Sequence, residues 1–296
     1  FLAIGINPSS YDDSYYPYGA DRPDIFGDAS VRKAIALCID RQGILKDLTG
    51  GLVSPSDSYM PSSNNLLGGV ALSQYPYDPA QGKALLDKFG WKDYDQNPAT
   101  PLTMIATNTT VPYATNFIVT LVTSQSEMRK AIADKIAANL AECGIQVNVE
   151  QKSISELYQP GPDGILFGRK FDLALFSMNI GSEPHCELFS SEEIPMKANY
   201  WLGTNTGGSN FMGYRVPAYD QACKAAQSSG LDNSAYTTNI QSTLQILSDT
   251  LPFIPLYHQP AYMIEKKSLC LPDEMNSLEK MLFSIGSIDP NINCGS

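Results

Sequence analysis

"SEMRKAIADKIAANLAECGIQVNVE", residues 126–150, decides the fold class of this sequence. Apolar side chains in its first part recur every three or four positions, which is the spacing of one buried helix face. They are Met128, Ile132, Ile136 and Leu140. Gly144 then ends the helix, and apolar and polar residues alternate from 145 to 150, as in a strand with one solvated face. With the extended stretch "PLTMIAT" (101–107) ahead of the helix, the sequence predicts a strand–helix–strand unit and a partly parallel sheet.

Further elements extend this pattern along the chain. Three helices are predicted to begin after aspartate N-caps, at Asp28, Asp40 and Asp78. Apolar spacing predicts another helix over 233–251. The apolar stretches "FLAIGIN" (1–7) and "FDLALFSM" (171–178) are predicted strands, the second buried on both faces. The class is therefore α/β, with a mixed, partly parallel sheet flanked by helices.

The charge balance excludes some classes of partner. Acidic residues number 31 against 20 basic ones, which gives a formal net charge of −11. Such a chain repels phosphate backbones and anionic lipid surfaces, so we expect no binding to nucleic acid. No run approaches the roughly 18 consecutive apolar residues of a membrane helix. The chain opens on Phe1 without initiator methionine or signal segment, which suggests a piece of a longer protein.

Six cysteines would allow about 15 connectivities if all were paired. Cys38 and Cys143 lie on or at the end of apolar helix faces, where a thiol commonly acts as a small hydrophobic residue. The other four lie in polar, loop-like stretches. In an oxidising compartment we expect the pairs Cys186–Cys223 and Cys270–Cys294.

Catalytic patterns are weak. Ser30 and Lys33 match the SxxK spacing of serine acyl-transferases, but the companion elements of those enzymes are missing. His185 and Cys186 are adjacent, yet no CxxC pair or second histidine stands at ligand spacing, so we predict no metal and no cofactor. The adjacent acids Glu192-Glu193 are interpreted as exposed loop residues rather than a glycosidase pair. We predict that the chain is not an enzyme, and keep a hydrolase using Ser30 and Lys33 or Cys186 as the alternative.

The end of the predicted strand 171–178 is the best candidate for a binding site. In open α/β sheets, solutes bind where strands end, because loop side chains and backbone amides converge there. The predicted contacts at this strand end are Met178, Asn179, Gly181 and Glu183.

Five stretches, in order, resemble the family 5 extracellular solute-binding proteins, the peptide- and nickel-binding group that serves ABC importers. They are "DASVRKAIALCIDRQGILKDLTGGLVSPSDSYMP" (28–61), "YPYDPAQGKALLDKFGW" (75–91), "IADKIAANLAECGIQVNVEQKS" (132–153), "NFMGYRVPAYDQACKAAQ" (210–227) and "IQSTLQILSDTLPFIPLYHQPAYMI" (240–264). The resemblance covers about residues 1–267 and implies the C-terminal lobe of a two-lobed receptor with a periplasmic-binding-protein type II-like fold.

The resemblance also implies a division of the chain. Residues 1–27 would be a linking strand and loop from the absent first lobe, 28–261 the solute-binding lobe, and 262–296 a tail that returns toward the first lobe. The stretch "SNFMGY" (209–214) resembles a loop that returns to the cleft, which implies a second group of solute contacts. These are Asn210, Phe211 and Tyr214.

In peptide-binding members the strand matching "LALFSMNIGSEP" (173–184) ends in a Trp and an Asp–Tyr pair, and the Asp meets the amino group of the peptide. Here Ile180 stands at the position of that Asp, and Ser177 or Met178 at that of the Trp. Glu183 or Asn179 would substitute, or the solute is neutral, such as a sugar. A subgroup of the family in which both cysteines recur also favours the Cys186–Cys223 bridge.

The function that the resemblance implies is solute capture for an ABC importer, for an oligopeptide or a similar extended solute. The partners would be the solute and the membrane permease, the location extracytoplasmic and the full-length protein lipid-anchored. We expect a monomer. A ligand-sensing domain of a regulator with the same fold is a further alternative.

Overall fold

A mixed five-stranded sheet forms the centre of the fold in the computed structural model, which describes residues 1–6, 23–107, 111–179 and 184–259. In chain order the strands are β1 (Leu2–Ile4), β2 (Trp91–Lys92), β3 (Thr103–Met104), β4 (Ile118–Ser124), β5 (Gln146–Lys152), β6 (Leu173–Leu175) and β7 (Phe253–Ile254). The large sheet has the order β5-β4-β6-β1-β7, and β2 and β3 form a separate antiparallel pair. Strand β4 runs parallel to β5 and β6, whereas β1 is antiparallel to β6 and β7, so the predicted mixed sheet is confirmed.

Helices flank this sheet. They are α1 (Ala29–Leu37), α2 (Arg41–Thr49), α3 (Pro79–Phe89), α4 (Glu127–Glu142), α5 (Ile154–Tyr158), α6 (Pro217–Gln227) and α7 (Asn233–Thr250), with short 3₁₀ turns between some of them. The predicted caps Asp28, Asp40 and Asp78 each accept a hydrogen bond from a backbone N–H group in the first turn. These caps satisfy amides that have no partner within the helix, which explains why the helices begin where the sequence predicted.

The prediction of the first strand in the strand–helix–strand unit was wrong. The strand that precedes α4 is β4, "IVTLVTS", which pairs with β5 from Ile118↔Gln146 to Ser124↔Lys152. The stretch 101–107 contributes only β3, which pairs with β2 outside the main sheet. Residues of β4 are mostly β-branched and buried, as a strand covered on both faces requires.

Strand β1 belongs to the middle of the sheet. It lies between β6 and β7, and its three residues are fully buried. Residues 2–4 are therefore part of the core of this sheet. Whether residues 1–27 also link to a second lobe, and whether 262–296 return to it, stays a prediction, and the tail lies outside the described residues.

Two disulfides within the described residues tie distant elements together. Cys186 is bonded to Cys223 as predicted, whereas the interpretation of Cys38 and Cys143 as separate hydrophobic residues was wrong, since they are bonded to each other. Cys38 lies at the C-terminal end of α1 and Cys143 at that of α4, and these two helix ends converge beside α3. Cys270 and Cys294 lie outside the described residues.

Gly82 of α3 leaves the space for the Cys38–Cys143 bridge. A Cβ atom at this position would lie 2.4 Å from the Cys38 Sγ atom and 3.1 Å from the Ala34 carbonyl oxygen. Neither the disulfide nor the α1 backbone can move away cheaply, because both are part of the packed core.

Replacing Gly82 with alanine is expected to lower the free energy of unfolding by about 1–3 kcal/mol, the usual range for overpacking a core. Urea unfolding followed by circular dichroism measures the change. The penalty should shrink when Gly82→Ala is combined with Cys38→Ala and Cys143→Ala, since the obstructing sulfur atom is then absent. An equal penalty in both backgrounds would show that the disulfide is not the obstacle.

Candidate functional site

Five strands bring their ends to one edge of the sheet, which we name the carboxyl edge. The parallel strands β4, β5 and β6 end there at Ser124, Lys152 and Leu175. The antiparallel register places Leu2 opposite both Leu175 and Ile254, so the beginning of β1 and the end of β7 lie at the same edge. This is the edge at which open α/β sheets bind solutes.

The end of β6 presents part of the predicted site at this edge. Ser177 and Asn179 are exposed, and Met178 is half-buried against the core. The preceding Phe176 points inward and is only 5% exposed. Gly181 and Glu183 lie outside the described residues. The described part of the strand end is therefore accessible to a solute, and its contact with one stays a prediction.

Arg129 joins two of the strand ends. Its Nη2 atom donates to the Ser177 Oγ atom at 2.5 Å, and its Nη1 atom donates to the Ser124 Oγ atom at 3.2 Å. The side chain is half-buried and extends from the first turn of α4. Sequence reasoning missed this residue. Recognising β4 would have found it, because a helix that starts directly after a parallel strand puts its first turn at the carboxyl edge.

Aromatic rings line the other side of the carboxyl edge. The Phe1 ring lies 5.7 Å from that of Phe176, 5.6 Å from that of Phe253 and 6.4 Å from that of His258. The half-buried His258 ring is fixed by its Nε2 atom, 3.2 Å from the Ser58 carbonyl oxygen. The same nitrogen lies 3.1 Å from the Ser56 Oγ atom. Phe176 and Phe253 are buried, whereas Phe1 and His258 are half-buried, so the aromatic surface at this edge comes from Phe1 and His258.

Asn210 belongs to the interior, against the prediction that it contacts solute. It is 0% exposed. Its Nδ2 atom donates to the carbonyl oxygens of Phe189, Ser190 and Tyr214 at 2.7–3.1 Å, and its Oδ1 atom accepts from the Tyr214 N–H at 3.0 Å. Both N–H groups of the amide are used by backbone carbonyls, so the buried side chain holds two loops together and has no donor left for a solute.

Phe211 and Tyr214 are buried as well, so the second group of predicted contacts lies in the core and not at the carboxyl edge. Phe211 is 4% exposed and packs edge to face with three rings, those of Phe167, Phe171 and Phe176, at 5.0–6.0 Å. Tyr214 is 1% exposed, and its hydroxyl group lies 2.9 Å from the Thr250 Oγ1 atom. Burial raises the pKa of Tyr214 above its ordinary value. The pattern "SNFMGY" builds packing rather than a recognition surface.

Glu193 contradicts the interpretation of Glu192-Glu193 as exposed loop residues. Its side chain is 0% exposed and accepts hydrogen bonds from the backbone N–H groups of Thr204, Asn205 and Thr206 and from the Thr206 hydroxyl. Burial opposes its ionisation, but these hydrogen bonds outweigh burial and lower the pKa of Glu193 below the ordinary glutamate value. Glu192, in contrast, is exposed and paired with Lys224.

Neither candidate nucleophile is poised for catalysis. The Ser30 hydroxyl donates to the Asp28 carboxylate at 2.6 Å, as part of the cap of α1, and not to Lys33. Cys186 has no thiolate to offer, because its sulfur is bonded to that of Cys223. Glu187 lies close to both sulfur atoms, but a disulfide is a poor metal ligand compared with two thiolates.

Across the described ranges, every helix is too short or too polar to cross a bilayer.

A profile of the bacterial extracellular solute-binding proteins, family 5 Middle, matches residues 3–191. The chain belongs to this family. It is 25% identical over 249 residues to di/tripeptide-binding protein 2 of Pseudomonas aeruginosa, a match that covers 84% of the chain and 41% of the relative. It is 23% identical over 257 residues to the oligopeptide-binding protein AppA of Bacillus subtilis, over 84% of the chain and 42% of the relative. The chain thus spans about two fifths of the length of these curated relatives.

The fold agrees with this membership. The structure of AppA from Bacillus subtilis in complex with a nonapeptide superposes with a TM-score of 0.67 at 19% identity, over 87% of the chain and 44% of AppA. At this identity the likeness shows the fold alone. The predicted family and the periplasmic-binding-protein type of lobe are confirmed, and the family is one of extracellular proteins.

Proposed function

We propose that this chain is the C-terminal lobe of a receptor that captures an oligopeptide, or a similarly extended solute, for an ABC importer. Membership in family 5 and the similarity to two peptide-binding relatives support the solute class. The carrying observation is the carboxyl edge, where Ser177 and Asn179 are exposed beside the half-buried Met178.

Binding at this edge requires a second surface to close the site. The described carboxyl edge is open, and the chain covers about two fifths of its relatives. A second lobe would supply the other half of the contacts, and closure of the two lobes would present the liganded shape to permease subunits. Anchoring of the full-length protein by a lipid and its action as a monomer are part of this proposal.

Peptide capture is tested by calorimetry of the full-length protein with peptides of two, three, five and nine residues and with a neutral oligosaccharide. We expect at least one peptide to bind with a micromolar or tighter Kd, while the oligosaccharide produces no heat. Binding of the sugar alone would overturn the peptide assignment. Binding of neither class, together with no solute found by mass spectrometry of the purified protein, would overturn the receptor.

The lobe alone should bind the same peptide weakly. If half of the contact free energy is lost, a micromolar Kd becomes about millimolar. The comparison uses residues 1–296 and the full-length protein under the same conditions, with circular dichroism showing that the shorter chain is folded. Equal affinities would show that the site is complete in this lobe, against the two-lobed receptor.

The two alternatives differ in what they require. A hydrolase would need a nucleophile other than Cys186, whose sulfur is committed to a disulfide. A sensor domain would be fused to a signalling or DNA-binding segment, so a helix-turn-helix in the upstream sequence would favour it, whereas a signal peptide with a lipidated cysteine would favour the transport receptor.

A further inference from the structure

We infer that Cys186, Cys223 and Glu187 form a binding site for a divalent cation that prefers thiolate ligands, best matched by Zn²⁺, whenever the Cys186–Cys223 bridge is open. Two of these residues lie in the 3₁₀ turn Cys186–Phe189, and the third lies on α6. Disulfides are made by oxidation of two thiols, so the dithiol precedes the bridge in every molecule. The site does not depend on solute capture, because none of the three residues is a predicted solute contact.

The three ligand groups already lie together. The two Sγ atoms and a carboxylate oxygen of Glu187 are all within 4.8 Å of one another. In a tetrahedral zinc site, with Zn–S bonds of about 2.3 Å and Zn–O bonds of about 2.1 Å, two sulfur ligands lie about 3.8 Å apart and a sulfur and an oxygen about 3.6 Å. The cluster therefore covers the separations that one ion requires. Within the described ranges, no other three Cys, His, Asp or Glu side chains come this close together.

The charges of the opened site favour a cation. Cys186 and Cys223 are buried, and the Glu187 side chain is 26% exposed. Two thiolates and a carboxylate in such a place repel one another with little water to screen them, whereas a divalent ion balances two of the three charges. Thiolate and carboxylate ligands together suit Zn²⁺, while Mg²⁺ and Ca²⁺ take oxygen ligands. Binding releases the thiol protons, because the thiolate is the ligand.

Neighbouring groups hold the ligands in place. The His185 Nδ1 atom lies 3.0 Å from the Glu187 Oε1 atom, so the ring positions the carboxylate and leaves its other oxygen for an ion. Carboxylates that bind metals are commonly hydrogen-bonded in this way. The buried Tyr219 hydroxyl donates to the Cys186 carbonyl oxygen at 2.6 Å and fixes the turn that carries two of the three ligands. The partial exposure of Glu187 lets water fill the fourth position of the ion.

Titration of the full-length protein with Co²⁺ and Zn²⁺ tests the site. The bridges are opened without oxygen by a water-soluble phosphine. Each S–S bond breaks, phosphorus is oxidised to the phosphine oxide with the oxygen of one water molecule, and the two protons of that water pass to the sulfur atoms. We expect Co²⁺ to give thiolate charge-transfer absorption in the reduced protein only. Zn²⁺ should displace it, since Zn²⁺ has no geometric preference that a tetrahedral site opposes.

Paired variants show which thiols bind the ion. Cys186→Ala combined with Cys223→Ala should abolish the charge-transfer absorption of the reduced protein. Cys38→Ala combined with Cys143→Ala is the matched control and should retain it, because no third metal-binding side chain of the described residues lies close to that pair.

The carboxylate and its neighbour are tested in the same titration. Glu187→Gln removes a ligand and should weaken Zn²⁺ affinity about 100-fold, whereas His185→Ala removes a positioning residue and should weaken it about tenfold. Glu192→Gln, which alters an exposed carboxylate, is the matched control and should leave the affinity unchanged. None of these three variants changes the absorption of the oxidised protein.

Circular dichroism accompanies each titration, because opening both bridges lowers stability. If the reduced wild type is unfolded, Zn²⁺ should restore the folded spectrum, since an ion that binds a site of the folded chain favours folding. The same addition should not restore the variant that lacks Cys186 and Cys223.

Three results would overturn the inference. The first is a reduced wild type that neither binds Zn²⁺ nor regains its fold on addition of Zn²⁺. The second is undiminished binding after replacement of Cys186 and Cys223, which would assign the ion to other groups. The third is an unchanged affinity in Glu187→Gln, which would leave only two protein ligands and no built site.

Discussion

Replacing Cys38 and Cys143 together with alanine is expected to lower the free energy of unfolding by about 5 kcal/mol. The bridge closes a separation of 105 residues, and constraining a loop of that length in the unfolded chain gives this value in the chain-entropy model. It also holds the C-terminal ends of α1 and α4 against α3, so its loss should loosen all three helices. Urea unfolding, with the slope checked for a change in cooperativity, measures the effect.

The second disulfide is the matched control. Cys186 and Cys223 are 37 residues apart, so their replacement should cost about 4 kcal/mol in the same chain-entropy model, and less than the first pair. The free energy of unfolding of wild type in excess reductant should approach that of a chain without either bridge. A loss below about 1 kcal/mol for the Cys38 and Cys143 variant would show that the unfolded chain is already compact in this region.

Glu193→Gln should cost about 3 kcal/mol at pH 7. The carboxylate accepts four hydrogen bonds, from the N–H groups of Thr204, Asn205 and Thr206 and the Thr206 hydroxyl. A glutamine would direct its own N–H group at these donors and leave buried N–H groups unsatisfied. Leaving a buried donor unsatisfied costs about 1–3 kcal/mol. Glu192→Gln, which alters an exposed neighbour, should change stability little.

The effect of Glu193 should depend on pH in a defined direction. Its pKa is lowered in the folded chain, so the charged form is stabilised by folding. That contribution is complete above the unfolded glutamate pKa of about 4.3 and is lost as pH falls through the lower folded pKa. The stability gap between wild type and Glu193→Gln should therefore be constant from pH 7 to 5 and narrow below about pH 4. A gap that stays unchanged at pH 3 would show that the charge is irrelevant.

Local chemistry made part of this fold predictable. Asp28, Asp40 and Asp78 were recognisable as caps because a cap depends on the few residues around it. The choice between "PLTMIAT" and "IVTLVTS" as the strand before α4 was not local, since both favour extended backbone and only pairing with β5 decides between them. The Cys38–Cys143 bridge was missed for the same reason: its partners are 105 residues apart and meet only through packing.

The exposed strand end was predictable from the sequence, and its contact with a solute stays a prediction. The end of β6 follows from the rule that strands of an α/β sheet end at the binding edge, and Ser177, Met178 and Asn179 do lie there. Asn210 was named because "SNFMGY" resembles a loop that returns to the cleft, whereas in the structure converging carbonyl groups bury it. Arg129 was missed because the strand directly before its helix, β4, was not recognised from the sequence.

The central place of β1 has a consequence for how the chain is made. Its neighbours β6 and β7 begin at residues 173 and 253, so they are synthesised long after β1. Strand β1 therefore has no partner on either side until most of the lobe has left the ribosome. Any nascent chain or proteolytic fragment that stops short of Phe253 leaves β1 as an open, wholly apolar edge, which is the kind of surface on which misassembly between copies begins.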